Sequence, residues 1–391
     1  MFKTYIIDTA TGNILAPIDI PEFSWTLSIK QEQSGLVTRP TKINTEGSTG
    51  GINIRWDSIP GETPTEKQRW VKSYDRGIVL MWEDSATERT PIICGAIGDR
   101  TDKELDTSFN LIPYSDIVGS RVVTDFNAFG RDNHTTNYSI EYSNRSLRSI
   151  VCELGKFCTK GKHRELPIEW PYPLEPGVHS ISVQGFNVNN ITFKKIIEQL
   201  TKSTSAPDVR FKPYMKAFNQ VAVQLLCAPD NNVSDSPVHT FTYSKYHGTF
   251  KNIKIARRGG VDRLYATGAG KDQSMLCYAV EKPQNGDNSH PIIERVLNNQ
   301  NAKTFDDLKS FADSAFNMLH NPRLQIQGSY NILDGKTPLP GRIWPGDKVL
   351  LNVYNTMALE SKVYLLTIME LKGSTSSEID VTFDAIDTED Q

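Results

Sequence analysis

Residues 76–84 read Arg-Gly-Ile-Val-Leu-Met-Trp-Glu-Asp, and residues 91–97 read Pro-Ile-Ile-Cys-Gly-Ala-Ile. Both are continuous apolar runs of strand length. A strand open to water on one face alternates apolar and polar residues, whereas a strand covered on both faces does not. The run from Gly77 to Trp82 therefore predicts a strand with packing on both sides. The polar stretch Glu83 to Thr90 between the runs predicts the turn of a hairpin.

Working outward from this pair, the N-terminal part reads as further strands. Trp25, Leu27 and Ile29 alternate with Ser24, Thr26, Ser28 and Lys30, the period of a half-buried strand. Ile52, Ile54 and Trp56 repeat the pattern after a Gly-rich turn at Gly47–Gly51. Short strands separated by turn signals predict a small barrel or sandwich.

The pattern changes near residue 135. Leu147, Ile150, Val151 and Leu154 have the spacing of an amphipathic helix, as do Phe193, Ile196, Ile197 and Leu200. Asn189 or Asn190 is placed to cap the second helix. A stretch with Pro167, Pro171, Pro173 and Pro176 lies between them. Ile181 with Val183, Val209 with Phe211, and Val221 with Val223 and Leu225 read as strands. The order predicts a compact α/β or α+β unit. Polar, Pro-flanked residues 230–238 then read as a loop.

Strands return at 253–256, 263–267 and 274–280, followed by a loop at 282–290. Phe305, Leu308, Ala312, Ala315, Phe316 and Leu319 predict the clearest helix in the chain. Thr304 stands before it with Asp307 three residues on, close to a capping box, and Pro322 ends it. Residues 349–353, 363–371 and 379–383 predict three closing strands. The overall expectation is a mainly β chain with α+β modules and barrels at both ends.

Composition bounds the function. The chain has 391 residues, 38% hydrophobic and 23% charged, so it is globular and large enough for about two to four domains. Its formal net charge is −3, from 43 Lys and Arg against 46 Asp and Glu. That excludes a generally basic nucleic-acid binder, although a balanced total can hide a local basic patch. The acidic end with Asp384, Asp387, Glu389 and Asp390 reads as a solvated tail. Five cysteines in so long a chain argue against a disulfide framework and for synthesis in a reducing cytoplasm. Cys94, Cys227 and Cys277 lie in apolar runs and read as buried. The N-terminus lacks a signal peptide, and no apolar run has the length of a membrane span.

Motifs for chemistry fail in detail. Gly268-Ala-Gly-Lys271 resembles part of a phosphate loop. Tyr265 stands where the first Gly is needed, and Asp272 stands where Ser or Thr should hold magnesium. It reads as a Gly-rich turn. Cys152, Cys158 and His163 lack the spacing and the fourth ligand of structural zinc. The seven His sit mostly in polar stretches, and no GxSxG elbow or HExxH helix is present. No catalytic residue, cofactor or metal is expected.

The order of these patterns resembles the hub proteins of long-tailed phages, especially minor tail proteins of actinobacterial phages. These are similar to the trimeric central hub of contractile phage baseplates. The resemblance spans nearly the whole chain. It rests on 23–29 with Gly35, on 76–84 and 91–97, and on the helix from Ser146 and the helix from Asn190 with 208–211. Residues 263–270, 291–295, Trp344-Pro-Gly-Asp-Lys-Val349 and 376–383 complete it. The segment before Pro21 has no counterpart, and the loop at 84–90 is longer than the family pattern.

The resemblance implies two tube-like β-barrel hub domains and two smaller α/β modules. Their expected bounds are 1–134 for the first barrel and 135–246 for the middle domain. The second barrel takes 247–281 with 322–391, and 282–321 forms a helical insertion. Three copies would place six barrels in a ring that joins a sixfold tail tube to a threefold tip. The implied partners are further copies of the chain, the distal tail ring, the tape-measure C-terminus, and tail fibre or central tip proteins. Viral DNA would pass through the lumen without specific binding. The implied place is the virion tail tip, with a part in host attachment and genome ejection.

Trp25, Trp82 and Trp344 are the expected barrel-core or interface anchors, with Gly268, Gly270 and Gly346 allowing tight turns. Two other readings compete with the structural hub. One is a tail-associated cell-wall hydrolase, disfavoured because the chain ends directly after the last barrel strand. The other is a glycan-binding tip module using Trp56, Trp70, Trp170 and Tyr172, residue types that are more often core.

Overall fold

A computed structural model describes the chain except residues 22, 30, 34–35, 39–51, 85–87, 125–138, 185–190, 201–208, 230–236, 282–290, 301 and 388–391. The expected turn at Gly47–Gly51, the caps Asn189 and Asn190, the loop at 282–290, most of the loop at 230–238, Gly35, Glu389 and Asp390 lie outside the described residues.

The Arg76–Glu83 strand lies in the middle of a six-stranded antiparallel sheet. The order is Ile14–Ile18, Phe2–Asp8, Arg76–Glu83, Arg89–Asp102, Asp106–Pro113 and Ile52–Arg55. The strand is buried on both faces, as its unbroken apolar run predicts. Ile78 turns one way, to a core with Ile6, Ile54, Ile97 and Phe109. Val79 and Met81 turn the other way, to a core built with Leu147, Ile150, Phe193 and Phe211. Leu80 and Trp82 reach a third core, shared with the C-terminal barrel. Three modules are therefore stitched together by one strand. The sheet's two edge strands do not pair with each other, so it is a half-barrel. The first twenty residues supply two of its strands.

The second β domain is a closed barrel. Its cyclic order is Lys348–Tyr354, Val238–Ser244, Phe250–Arg258, Arg323–Asn331, Glu378–Asp387 and Val363–Ser374, and the last strand pairs back with the first. Phe241, Phe250, Ile326, Tyr330, Leu351, Ile368 and Phe383 fill the interior. The Val363–Ser374 strand outgrows its neighbour, whose register ends at Thr367. Ser24–Ser28 pairs with the protruding end, Glu370–Ser374. An exposed strand edge carries unpaired N–H and C=O groups, and this N-terminal strand satisfies them.

The middle module packs the helices Leu147–Thr159 and Phe193–Leu200 against the strands Gln220–Cys227 and Val209–Ala217 and the short strand Ile168–Glu169. A fourth, small module has the sheet order Cys277–Glu281, Arg263–Thr267, Glu294–Asn298. The helix Phe305–Leu319 covers it, with Leu264 and Ala266 against Leu308 and Ala312. Thr304 caps this helix by accepting the Asp307 N–H at 3.2 Å.

The mainly β architecture with two β domains and two smaller modules agrees with the sequence. The strand pairing corrects the expected bounds in three places. Ser24–Ser28 belongs to the closed barrel rather than the first β domain. Val238–Ser244 is a barrel strand rather than part of the middle module. Arg263–Thr267 and Cys277–Glu281 belong with the helix of the small module. Alternation reveals a strand but not its partner, so nearness in sequence does not decide the sheet a strand joins.

Candidate assembly surfaces

The Trp344-Pro-Gly-Asp347 turn is where the barrel meets the middle module. The indole of Trp344 is 1% exposed and belongs to the barrel core. Gly346 has φ +92°, a left-handed conformation that costs a side chain strain. Its missing Cβ would lie 2.9 Å from Arg210 Nη1. Arg210 and Lys212 come from the middle module's Val209–Ala217 strand.

The Arg210 Nη1 donates to the Pro345 carbonyl at 3.1 Å and lies 3.4 Å from Asp347 Oδ1. Asp347 Oδ2 accepts the Trp344 N–H at 2.8 Å and stands 3.2 Å from His239 Nε2. The Asp347 and Arg210 side chains are 4% and 7% exposed, so this ion pair is dry. The Lys212 ammonium lies 5.7 Å from the Trp344 ring centre. Burial pulls the Lys212 pKa below the ordinary lysine value, and the Asp347 charge opposes that shift. A buried, paired charge set fixes geometry more than it adds stability. Here it locks one module onto the next.

The other expected residues lie elsewhere. Trp25, 2% exposed, packs into the barrel core. Gly373 makes room for its ring, because a Cβ there would stand 2.3 Å from Trp25. Trp82 is in the same core, edge-on to Phe2 at 5.0 Å between ring centres. Gly268 and Gly270 shape the turn after Arg263–Thr267. Gly270 has φ +112°, and a Cβ on it would meet the Ser274 carbonyl at 2.4 Å. The Gly268 and Ala269 N–H groups donate to the Leu276 and Ala302 carbonyls at 2.8 and 2.9 Å. They are therefore spent inside the turn rather than offered to a phosphate. The structure thus brings Trp25, Trp82 and Trp344 together in one core, and places Gly268 and Gly270 in a different module from Gly346.

Cys152 and Cys158 are buried, and burial raises both thiols to about 11. Cys94 and Cys227 are also buried, but Cys277 is exposed, against expectation. It lies at the start of an edge strand whose alternation points it away from the covering helix. Among the described residues no group of three His, Cys, Asp or Glu could hold a metal. Trp56 and Trp70 pack half-buried against the half-barrel core, and Trp170 and Tyr172 against the middle core. Trp170 donates to Thr159 Oγ1 at 3.2 Å, and Tyr172 Oη accepts the Cys227 N–H at 3.0 Å. These rings are engaged in packing.

A surface that the sequence did not reveal runs along the closed barrel. Val363 and Leu365 project outward at 55% and 59% exposure, while Tyr364 and Leu366 turn inward. Leu365 stands opposite the half-buried Leu350. Exposed Tyr354 and the fully exposed Met357 continue the stripe. Exposed large apolar side chains grouped on one face of a barrel mark contact sites. No helix among the described residues is long and apolar enough to cross a membrane.

No family model matches the chain, and no curated protein matches it. Solved structures do. The 43 kDa tail protein of prophage MuSo2 from Shewanella oneidensis aligns over 98% of both chains, with a TM-score of 0.51 at 9% identity. The chain has the fold of a prophage tail protein. A chain in the Francisella PdpA–VgrG complex also aligns, over 100% of this chain and 59% of its own length, with a TM-score of 0.51 at 10% identity. At such identities the likeness is one of fold.

Proposed function

We propose that the chain is a structural hub of a phage tail tip, without enzymatic activity. The observation that carries this reading is the whole-length likeness in fold to a tail protein, with both β domains and both connecting modules included. In this reading three copies close into a ring, and each contributes a closed barrel and a half-barrel. Six β domains then meet the sixfold tube above and the threefold tip below.

A closed ring needs heterologous contacts, the barrel of one copy against the half-barrel of the next. The apolar stripe of Leu350, Val363, Leu365, Tyr354 and Met357 supplies a surface for such a contact. The Arg210–Asp347 lock holds the two β domains of one copy at a fixed spacing through the middle module. A ring whose members must register with a tube above requires that rigidity. The ring would sit in the virion, after synthesis in the host cytoplasm, between the distal tail ring and fibre or tip proteins. It would enclose the tape-measure C-terminus, take part in host attachment, and open for genome ejection.

The test is to locate the chain in its particle. Virions carrying an epitope-tagged copy should bind antibody at the distal end of the tail. Label along the tail shaft, on the capsid or nowhere would reject the reading. Incubation of the purified chain with peptidoglycan should release no soluble fragments, and release would favour the hydrolase instead.

A further inference from the structure

The Phe250–Arg258 strand of the closed barrel has a different chemistry from the apolar stripe. Between Asp235 and Asp262 the sequence holds no acidic residue, yet it carries Lys245, Lys251, Lys254, Arg257 and Arg258. All five are exposed, on the Phe250–Arg258 strand and the turn that enters it. The strand's apolar side chains, Phe250, Ile253 and Ile255, face the barrel core. Lys254, Ala256 and Arg258 alternate with them and face outward.

Among the described residues none of the five cations forms an ion pair. The Glu378–Asp387 strand, two strands away, carries carboxylates, of which Asp380 is exposed and Glu378 reaches Asn252 of the basic strand itself. Glu378 is bonded to Ser329 and Asn252, and Asp387 pairs with Arg323 at 3.0 Å. Arg257 donates one bond to the Ala358 carbonyl and keeps its charge. Beside the cations, Tyr246 is 74% exposed, with Lys245 Nζ 5.4 Å from its ring centre. In the cyclic strand order, Phe250–Arg258 is three strands from Val363–Ser374 in either direction.

We infer that this strand is a sequence-independent contact for the phosphate backbone of nucleic acid. The inference rests on the proposed function, in which the occupant is the genome leaving the tail. Unpaired Lys and Arg in a row provide the electrostatic attraction, with no arrangement for reading bases. Lys254 and Arg258 are about 13 Å apart along the strand, enough to meet separate phosphates. The exposed Tyr246 beside Lys245 offers a ring on which an unpaired base can stack.

The experiment is binding of a fluorescent DNA oligonucleotide to the full-length chain by anisotropy, over a range of NaCl concentrations. The wild-type chain should bind at low salt, and its affinity should fall with a log–log slope of about −3, for roughly three phosphate contacts. The triple variant Lys251→Glu, Lys254→Glu, Arg258→Glu should lose at least tenfold at low salt. Lys160→Glu, Lys162→Glu, Lys336→Glu, an equal charge change at exposed positions elsewhere, should stay within about twofold. Equal losses from both triple variants, or no binding by the wild type at low salt, overturn the inference. So does equally tight binding of polyglutamate, which would make the partner an acidic polypeptide. Oligomeric state is read on the same samples. A ring that ignores DNA defeats this inference and leaves the hub, whereas a monomer that binds DNA defeats the hub and leaves the contact.

Discussion

Replacing Asp347 by Ala removes the carboxylate that lies 3.4 Å from the Arg210 guanidinium in the seam. At an effective dielectric near 20 that pair is worth about 5 kcal/mol of Coulomb energy before desolvation. Removing one partner of a buried pair costs about 3–5 kcal/mol. Arg210 keeps the Pro345 carbonyl, so the lower end applies. Loss of the Trp344 N–H bond adds about 1 kcal/mol, for roughly 4 kcal/mol in all. With a guanidinium m value of about 4 kcal/mol per molar, the unfolding midpoint should drop by about 1 M. Tryptophan fluorescence reads this directly, since Trp344 lies at the site. The companion change Arg210→Met should suppress most of the penalty in the double variant. A loss below about 1 kcal/mol for Asp347→Ala, or strict additivity within about 0.5 kcal/mol, would refute the lock.

Gly346→Ala should cost about 2 kcal/mol by thermal unfolding, because φ is +92° and the added Cβ presses on Arg210. Arg148 holds Glu175 through two bonds of 2.7 and 2.8 Å and thereby lowers the carboxyl pKa. A depressed folded value contributes stability above the ordinary Glu value of about 4.3, lost as pH falls through the folded value. Glu175→Gln should flatten the acid limb of a stability–pH curve and leave the neutral limb parallel to wild type. A thiol reagent should titrate one cysteine in the native chain, Cys277, and all five after unfolding. Val363→Asp with Leu365→Asp should leave the monomer folded. It should weaken self-association at least a hundredfold, from about 1.5–3 kcal/mol lost per apolar side chain.

What the sequence reveals depends on the range over which a signal acts. The Gly77–Trp82 run and the helix Phe305–Leu319 are legible because burial on two faces and a helical period leave local marks. The short helix Pro64–Trp70 carries a local mark too, the capping box of Thr63 and Glu66. Alternation marks Trp25 as a strand residue but not its sheet, since its partner Gly373 lies more than three hundred positions away. Arg210, His239 and Asp347 stand 137 and 108 positions apart, and nothing in their local context announces a shared site. Asp347 had one signal, its place after Pro345-Gly346 in a tight turn. The basic strand was hidden by a net charge of −3, which averages 26 acid-free residues with the rest of the chain.

The central claim is that copies of this chain close into a ring at a tail tip. The measurement that tests it most directly is the solution mass of the purified chain by light scattering across concentrations, with electron microscopy of the same sample. A trimer with a central channel is expected, disrupted by the Val363→Asp, Leu365→Asp variant. A monomer at every concentration, or an oligomer without a channel and indifferent to that variant, would contradict it.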